Sequence, residues 1–307
     1  MLGVNLAGAE FGDGVGDVLG THYTWPTNAE VDYYVGQGIK IFRIPFLFHR
    51  ILPTGIATLV SLANYITSKG CYSLLDPHEY GKIDGVPVSN STARTQFVEY
   101  WTDLAAATKS NLNVIYGLIN EPKAVTQPDG ISAADWLVAA NAAIAAIRAE
   151  GADHLIVVPG TDWTGAHSWL NNNAAVMGEV VDSVGNFCYE VHQYLDPDSS
   201  GTSRTATAGA GSTRLVNFTN WCRALGRRAI LGEVGWASPE GNVEGEAILD
   251  YMDANRDVWI SPIYWAGGPW WYNSTTGVDY MYNIEPVPTL AGTIKPQMTI
   301  LKSHSAS

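Results

Sequence analysis

The chain has 307 residues, 17 basic and 30 acidic side chains, a formal net charge of −13 and 46% hydrophobic residues. Such a composition supports a large buried core and argues against disorder. The acidic balance counts against nucleic acid or an anionic membrane surface as a partner, because either calls for a basic face. No apolar run reaches the length of a bilayer-spanning helix.

Three cysteines, Cys71, Cys188 and Cys222, make neither a disulfide framework nor a close pair of the kind that holds zinc. One disulfide with one free thiol and three buried thiols both remain open. The chain opens on an apolar stretch without a basic leader, so any secretion signal is expected to have been removed before residue 1. N-x-S/T tripeptides begin at Asn90, Asn217 and Asn273.

In chain order, LGVNLAG reads as the first strand, and Thr27 with Glu30 as a capping box opening a helix. KIFRIPF (40–46) is the second strand. A helix stopping at Gly70 leads to CYSLLDPH, the third strand, and TARTQFVEYWTDLAAATKS is helical. NVIYGLINEP (113–122) is strand four; Ser132 and Asp135 then suggest another capping box before an Ala-rich helix. HLIVVPG is strand five, followed by looser helical sequence after Ala166 and by FCYEVHQYL (187–195), strand six. A helix near 213–225 precedes RAILGEVGW (228–236), and a helix over 243–255 precedes WISPIYWAG (259–267), strand eight. GTSRTATAGAGS (201–212) reads as a surface loop, and a last helix falls after Pro288.

Eight strand-then-helix units in this length predict an α/β fold, a single-domain (β/α)8 TIM barrel over residues 1–307 with no separate binding module. The runner-up, a doubly wound open sheet, usually carries a Gly-rich phosphate turn, and GAEFGDGVG does not match G-x-G-x-x-G.

In a barrel of this kind the site collects at the C-terminal strand ends. Those ends supply Arg43, His78, Asn120 with Glu121, His192 with Tyr194, Glu233 and Trp265. Glu121 and Glu233 each follow an apolar strand body, and two carboxyl groups across one mouth can divide acid and nucleophile work on a glycosidic bond. Arg43 is the candidate for keeping one of them ionised; its bland alternative is a salt bridge in the barrel floor. Parity places His192 and Tyr194 on one face with Glu190 below, where these groups either serve the site or satisfy one another. Glu190 is read as structural, and His78 either as a site residue or as a turn hydrogen bond.

No H-x-H or H-E-x-x-H spacing supports a catalytic metal, no G-x-S-x-G elbow supports a serine hydrolase, and there is no Walker lysine. Of eleven tryptophans, Trp25, Trp163, Trp169, Trp236, Trp265, Trp270 and Trp271 lie in or beside loops or strand ends, where rings can stack on pyranose faces. Trp101, Trp136, Trp221 and Trp259 are read as packing residues. Together with the two glutamates, these loop rings favour a neutral polysaccharide.

On FRIP at Arg43, LLDPHEYG at His78, NEP at 120–122, VPGTDWTGAHSW, YEVHQYLDPDSSGT, LGEVGW at Glu233 and YWAGGPWW, the chain resembles glycoside hydrolase family 5, particularly its microbial endo-β-1,4-glucanases. The resemblance implies a retaining barrel enzyme without cofactor or metal, with Glu121 as acid/base and Glu233 as nucleophile. It implies that Asn120 bonds the sugar 2-OH and that Arg43 and Tyr194 bracket the nucleophile. His78 and His192 would shape the −1 subsite, and Trp265 would be its platform. EVGWA departs from the usual residues after the nucleophile, so Trp236 is expected to alter a subsite beside the cleft. Soluble or amorphous β-glucan is the expected substrate and partner of a secreted monomer. A β-mannanase or a mixed-linkage or xyloglucan glucanase shares this machinery and stays open. A non-catalytic carbohydrate-binding barrel and a barrel aldolase or isomerase are the readings of other classes.

Overall fold

In the computed structural model, which describes residues 1–52 and 55–304, all eight expected strands form. They are β1 (Gly3–Leu6), β2 (Ile41–Phe46), β3 (Tyr72–Pro77), β4 (Val114–Gly117), β5 (Ile156–Pro159), β6 (Phe187–His192), β7 (Ala229–Val234) and β8 (Trp259–Gly267). Neighbours pair in parallel and β8 closes on β1, giving a barrel in chain order. Helices Asn28–Gly36, Ile56–Ser68, Ser91–Thr108, Ala133–Ala149, Val216–Ala224, Asn242–Ala254 and Pro296–Ser303 return the chain outside it. Between β5 and β6 the helical material is only Trp169–Asn172 and a turn at Met177–Glu179.

The local signals act as their chemistry dictates. Thr27 and Glu30 form the reciprocal capping box. Ser132 also caps its helix by accepting from the Asp135 N–H, but its hydroxyl, not its backbone N–H, is what the Asp135 carboxylate takes (2.6 Å), so the box stays open. Aspartate is one methylene shorter than the glutamate that closes such a box. One element had no counterpart in the strand pattern: a hairpin of Lys82–Ile83 and Val86–Pro87. Its turn residues, Asp84 (φ 49°) and Gly85 (φ 78°), are the Asp-Gly pair that a two-residue turn of this hand requires.

Two apolar shells hold the barrel. The larger lies between strands and helices and includes Phe42, Leu75, Tyr116 and Leu231. The smaller plugs the barrel interior with one side chain from each of seven strands: Ile41, Leu74, Ile115, Val157, Cys188, Ile230 and Ile263. The remaining strand, β1, contributes Gly3, where a Cβ would lie 2.9 Å from Ile263 Cγ1, so this layer has no room for another side chain. Cys71, Cys188 and Cys222 are all buried free thiols, which resolves the cysteine question. None of the described helices is long and apolar enough to cross a membrane.

A strand's side chains alternate between faces, so two residues beyond the plug the same faces point inward again. Ile41 is followed by Arg43, Leu74 by Asp76 and Cys188 by Glu190, and these three charged side chains are at most 1% exposed. The apolar plug is thus the floor beneath a layer of buried charge.

Candidate active site

Buried charges persist only where they are paired and hydrogen-bonded. Arg43 is the hub. Its Nη1 lies 2.9 Å from Asp76 and 3.1 Å from Glu233, and donates to Asn5 Oδ1 (2.9 Å). Its Nη2 donates to Asn120 Oδ1 at 2.8 Å. Nε sits 3.1 Å from Glu190, an ion pair without an aligned hydrogen bond. Burial works against the guanidinium charge, but Asp76, Glu190, Glu233 and Glu121 outweigh it and raise its pKa. Burial likewise favours neutral Asp76, yet Arg43 and His78 leave its pKa lowered.

Glu233 reaches this hub because β7 slips. Ile230 faces inward and Leu231 outward, so simple alternation would send residue 233 outward. Between Val191–Leu231 and His192–Glu233 the register shifts by one residue, leaving Gly232 as the extra position and turning Glu233 inward. Only glycine fits there, since a Cβ at 232 would stand 2.0 Å from Glu190 Oε1. Glu233 is then gripped on both oxygens, by Arg43 at Oε1 and by the Tyr194 hydroxyl at Oε2 (2.6 Å).

Glu121 arrives differently. β4 ends at Gly117, and the chain turns so that Glu121 adopts φ 37°, a left-handed conformation unusual for a residue with a Cβ. Its Oε1 bonds His192 Nδ1 at 2.7 Å, while His192 Nε2 faces Glu190 at 3.3 Å. Burial first, and the Glu233 charge second, raise the Glu121 pKa against the pull of His192. Burial alone would lower the His192 pKa, but Glu233, Glu121 and Glu190 push it up to about 10. Asn120, fixed through its oxygen by Arg43, presents its amide nitrogen to His78 Nε2 (3.1 Å), and His78 Nδ1 bonds Asp76 (2.8 Å).

Glu121, His192 and Glu233 each offer a ligand atom, all within 4.8 Å of one another. They are the described residues best placed to hold a cation, although a His192 that keeps its proton to about pH 10 competes with one. For bond cleavage the same spacing is informative. Carboxyl groups about 5–5.5 Å apart serve retaining glycosidases, whereas inverting ones need at least about 6.5 Å.

These groups line a cleft of about 620 Å³. Of the tryptophans expected to bind sugar, Trp265 and Trp163 line it. Trp265 stacks on His78 (5.7 Å, 18°), and Trp163 meets Tyr80 edge-on at 5.9 Å. Trp169 and Trp236 are corrected. Trp169 is fully buried against Tyr189, Phe218 and Trp221, so the expectation of a sugar contact fails. Trp236 is 1% exposed, set edge-on to Tyr264 and against Gly245, behind the barrel wall and away from the cleft. Trp25 packs against the outer core. Trp270 stacks on Phe11 and Trp271 on Tyr280, outside the described cleft lining. Replacing Trp169 by Ala should therefore cost about 3–5 kcal/mol of stability, with KM of the folded enzyme within about twofold of wild type. A large rise in KM without loss of thermal stability would contradict the burial argument.

Strand-end reasoning missed Asn5 and Asp76 as partners of Arg43 and left Glu190 outside the site. Their signal was parity with Arg43, two residues above the apolar plug. Tyr80 and Tyr280, which also line the cleft, sit in loops where no periodic signal exists.

A closed parallel barrel with two carboxyl groups facing each other above a buried arginine, flanked by aromatic rings, is the architecture of a glycoside hydrolase. The sequence model described as cellulase (glycosyl hydrolase family 5) matches residues 3–270, and the chain belongs to that family. Endo-beta-1,4-glucanase A of Emericella nidulans is 37% identical over 303 residues, covering 94% of this chain and 88% of that one. XacCel5A in complex with cellopentaose superimposes with a TM-score of 0.91 at 36% identity, covering 99% of this chain and 98% of the other. Pseudomonas stutzeri endoglucanase Cel5A in complex with cellobiose gives 0.87 at 30% identity, with coverage of 99% and 92%.

Proposed function

We propose that this chain is a retaining endo-β-1,4-glucanase that cuts internal bonds of cellulose or a related β-glucan, with Glu233 as nucleophile and Glu121 as acid/base. The observation that carries the reading is that one carboxylate oxygen of Glu121 and one of Glu233 lie within 4.8 Å of each other, with His192 beside both.

In the first step, one Glu233 oxygen attacks the anomeric carbon while Glu121 protonates the leaving oxygen, forming a covalent glycosyl-enzyme. Arg43 and Tyr194 hold Glu233 in one orientation. Burial first and the Glu233 charge second raise the Glu121 pKa, which favours its protonated form. Ester formation removes that charge, so the Glu121 pKa falls at the point where it must accept a proton from water. Asn120, oriented by Arg43 and His78, bonds the 2-OH of the reacting sugar in this reading. Trp265 forms the platform at that sugar, and Trp163 with Tyr80 receives the leaving portion. The relative seen with cellopentaose supports a cello-oligosaccharide ligand. Because all these groups come from one chain, a monomer suffices, and an extended polymer places its work outside the cell.

The test compares carboxymethylcellulose, mixed-linkage glucan, xyloglucan and mannan, with product lengths followed over time and the first-formed anomer read by NMR. Early internal cuts in a β-1,4-glucan with β-anomer release are expected. An initial α-anomer overturns retention; steady release of one short product overturns the endo mode; preference for mannan moves the enzyme to β-mannanase.

A further inference from the structure

Tyr194 lies two residues beyond the end of β6, so the strand does not hold it. Its hydroxyl nevertheless meets Glu233 Oε2 at 2.6 Å. A buried carboxylate that touches neither the cleft nor Glu233 organises the segment that fixes it. Asp196, 1% exposed, accepts from the backbone N–H groups of Gly201 (3.0 Å), Thr202 (3.0 Å) and Ser203 (3.2 Å) and from the Ser200 hydroxyl (3.2 Å). Arg214 Nη1 ties the same turn from behind, donating to the carbonyls of Tyr194 (2.7 Å) and Asp196 (2.8 Å).

The curled loop then bears on the Tyr194 ring. Gly201 (φ 73°) is so close that a Cβ would stand 2.9 Å from ring atoms Cδ1 and Cε1. Tyr282, whose hydroxyl donates to the Ser203 carbonyl (2.7 Å), stacks on Tyr194 at 6.1 Å and 20°. Both contacts on the ring are therefore anchored to the segment that Asp196 holds.

We infer that Asp196 is a positioning residue: by closing the 196–203 loop on the Tyr194 ring, it sets the Tyr194–Glu233 hydrogen bond and so the orientation of the nucleophile. The inference rests on Glu233 being the nucleophile. It adds a role for a side chain that contacts no substrate. A short hydroxyl–carboxylate bond tolerates little displacement, and sub-ångström misplacement of a reacting group is costly.

The experiment is a double-mutant cycle of Asp196→Asn with Tyr194→Phe on a soluble β-glucan, reading kcat, KM, the pH profile and thermal stability. Asp196→Asn alone should lower kcat about 10- to 100-fold with little change in KM. It should also move the acidic limb of kcat/KM to higher pH, because a donor to the ionised nucleophile is weakened. Glu233 also faces Arg43 from β2, Glu121 beyond β4, His192 on β6, His78 on β3, Tyr80 and Tyr280; none of these is substituted in the variant, and of them Tyr280 also feels the Asp196 charge. In the Tyr194→Phe background the same substitution should cost less than about threefold, since the path it acts through is already gone. Equal losses in both backgrounds, or an unmoved acidic limb, overturn the inference. If Asp196→Asn does not fold, Gly201→Ala, which pushes on the same ring, takes its place in the cycle with the same criteria. A Tyr194→Phe enzyme with wild-type kcat and pH profile also overturns the inference, because Arg43 would then hold Glu233 unaided, whereas near-normal activity in Glu233→Gln would remove the nucleophile assignment itself, so the two failures are distinguishable.

Discussion

Glu233→Gln is expected to lower kcat/KM about 10⁴-fold or more while leaving the melting temperature within a few degrees of wild type. The amide keeps the shape of the side chain but cannot form the ester through which retention proceeds. Asp76 and Glu190 still neutralise Arg43, so the barrel layer keeps most of its charge balance. Initial rates on carboxymethylcellulose and a thermal melt decide the matter. Activity within tenfold of wild type would remove Glu233 from the nucleophile role, and a collapse in stability would show that it serves the fold.

The second large effect is at Arg43. Arg43→Met should destabilise the protein by about 3–5 kcal/mol, of order 10 °C in melting temperature, and abolish measurable turnover. The loss comes from stranding Asp76, Glu190 and Glu233 together in a buried layer without their common cation. The sign with pH follows from Asp76, whose pKa Arg43 holds down. In wild type that contribution is present above the ordinary aspartate range and disappears as pH falls through the lowered value. The variant lacks it, so its deficit should be greatest near neutrality and shrink on acidification. Melting temperatures measured from pH 7 down to about pH 2 test this: the deficit should hold down to the ordinary aspartate range and shrink below it, and a deficit constant over the whole range would contradict the charge-layer account.

These effects come from a layer that strand alternation made half visible. Arg43, Asp76 and Glu190 each stand two positions beyond an apolar plug residue, a relation present in the sequence. Reading strand ends one at a time picked out Arg43, read Glu190 as structural and passed over Asp76. Glu233 is the opposite case. Its place at a strand end marked it as a candidate, yet alternation from Ile230 would have turned it towards the helices. The inward turn depends on a one-residue slip between β6 and β7 at Gly232. The tryptophans divide along similar lines. A ring in a loop and a ring against a helix look alike in a one-dimensional pattern, and Trp169 and Trp236 lie under the outer shell because neighbouring aromatics close over them.

The sequence by itself determined the repeating strand–helix rhythm, the barrel, the helix caps at Thr27 and Ser132 and the two glutamates at the ends of the fourth and seventh strands. Those features are set by local periodicity and short-range hydrogen bonding, which a linear pattern records. The tertiary structure alone decided which acids share Arg43, how near Glu121 comes to Glu233, which tryptophans face the cleft and how Asp196 reaches Tyr194. Each depends on register, slip and packing between segments up to 190 positions apart, as in the Arg43–Glu233 contact.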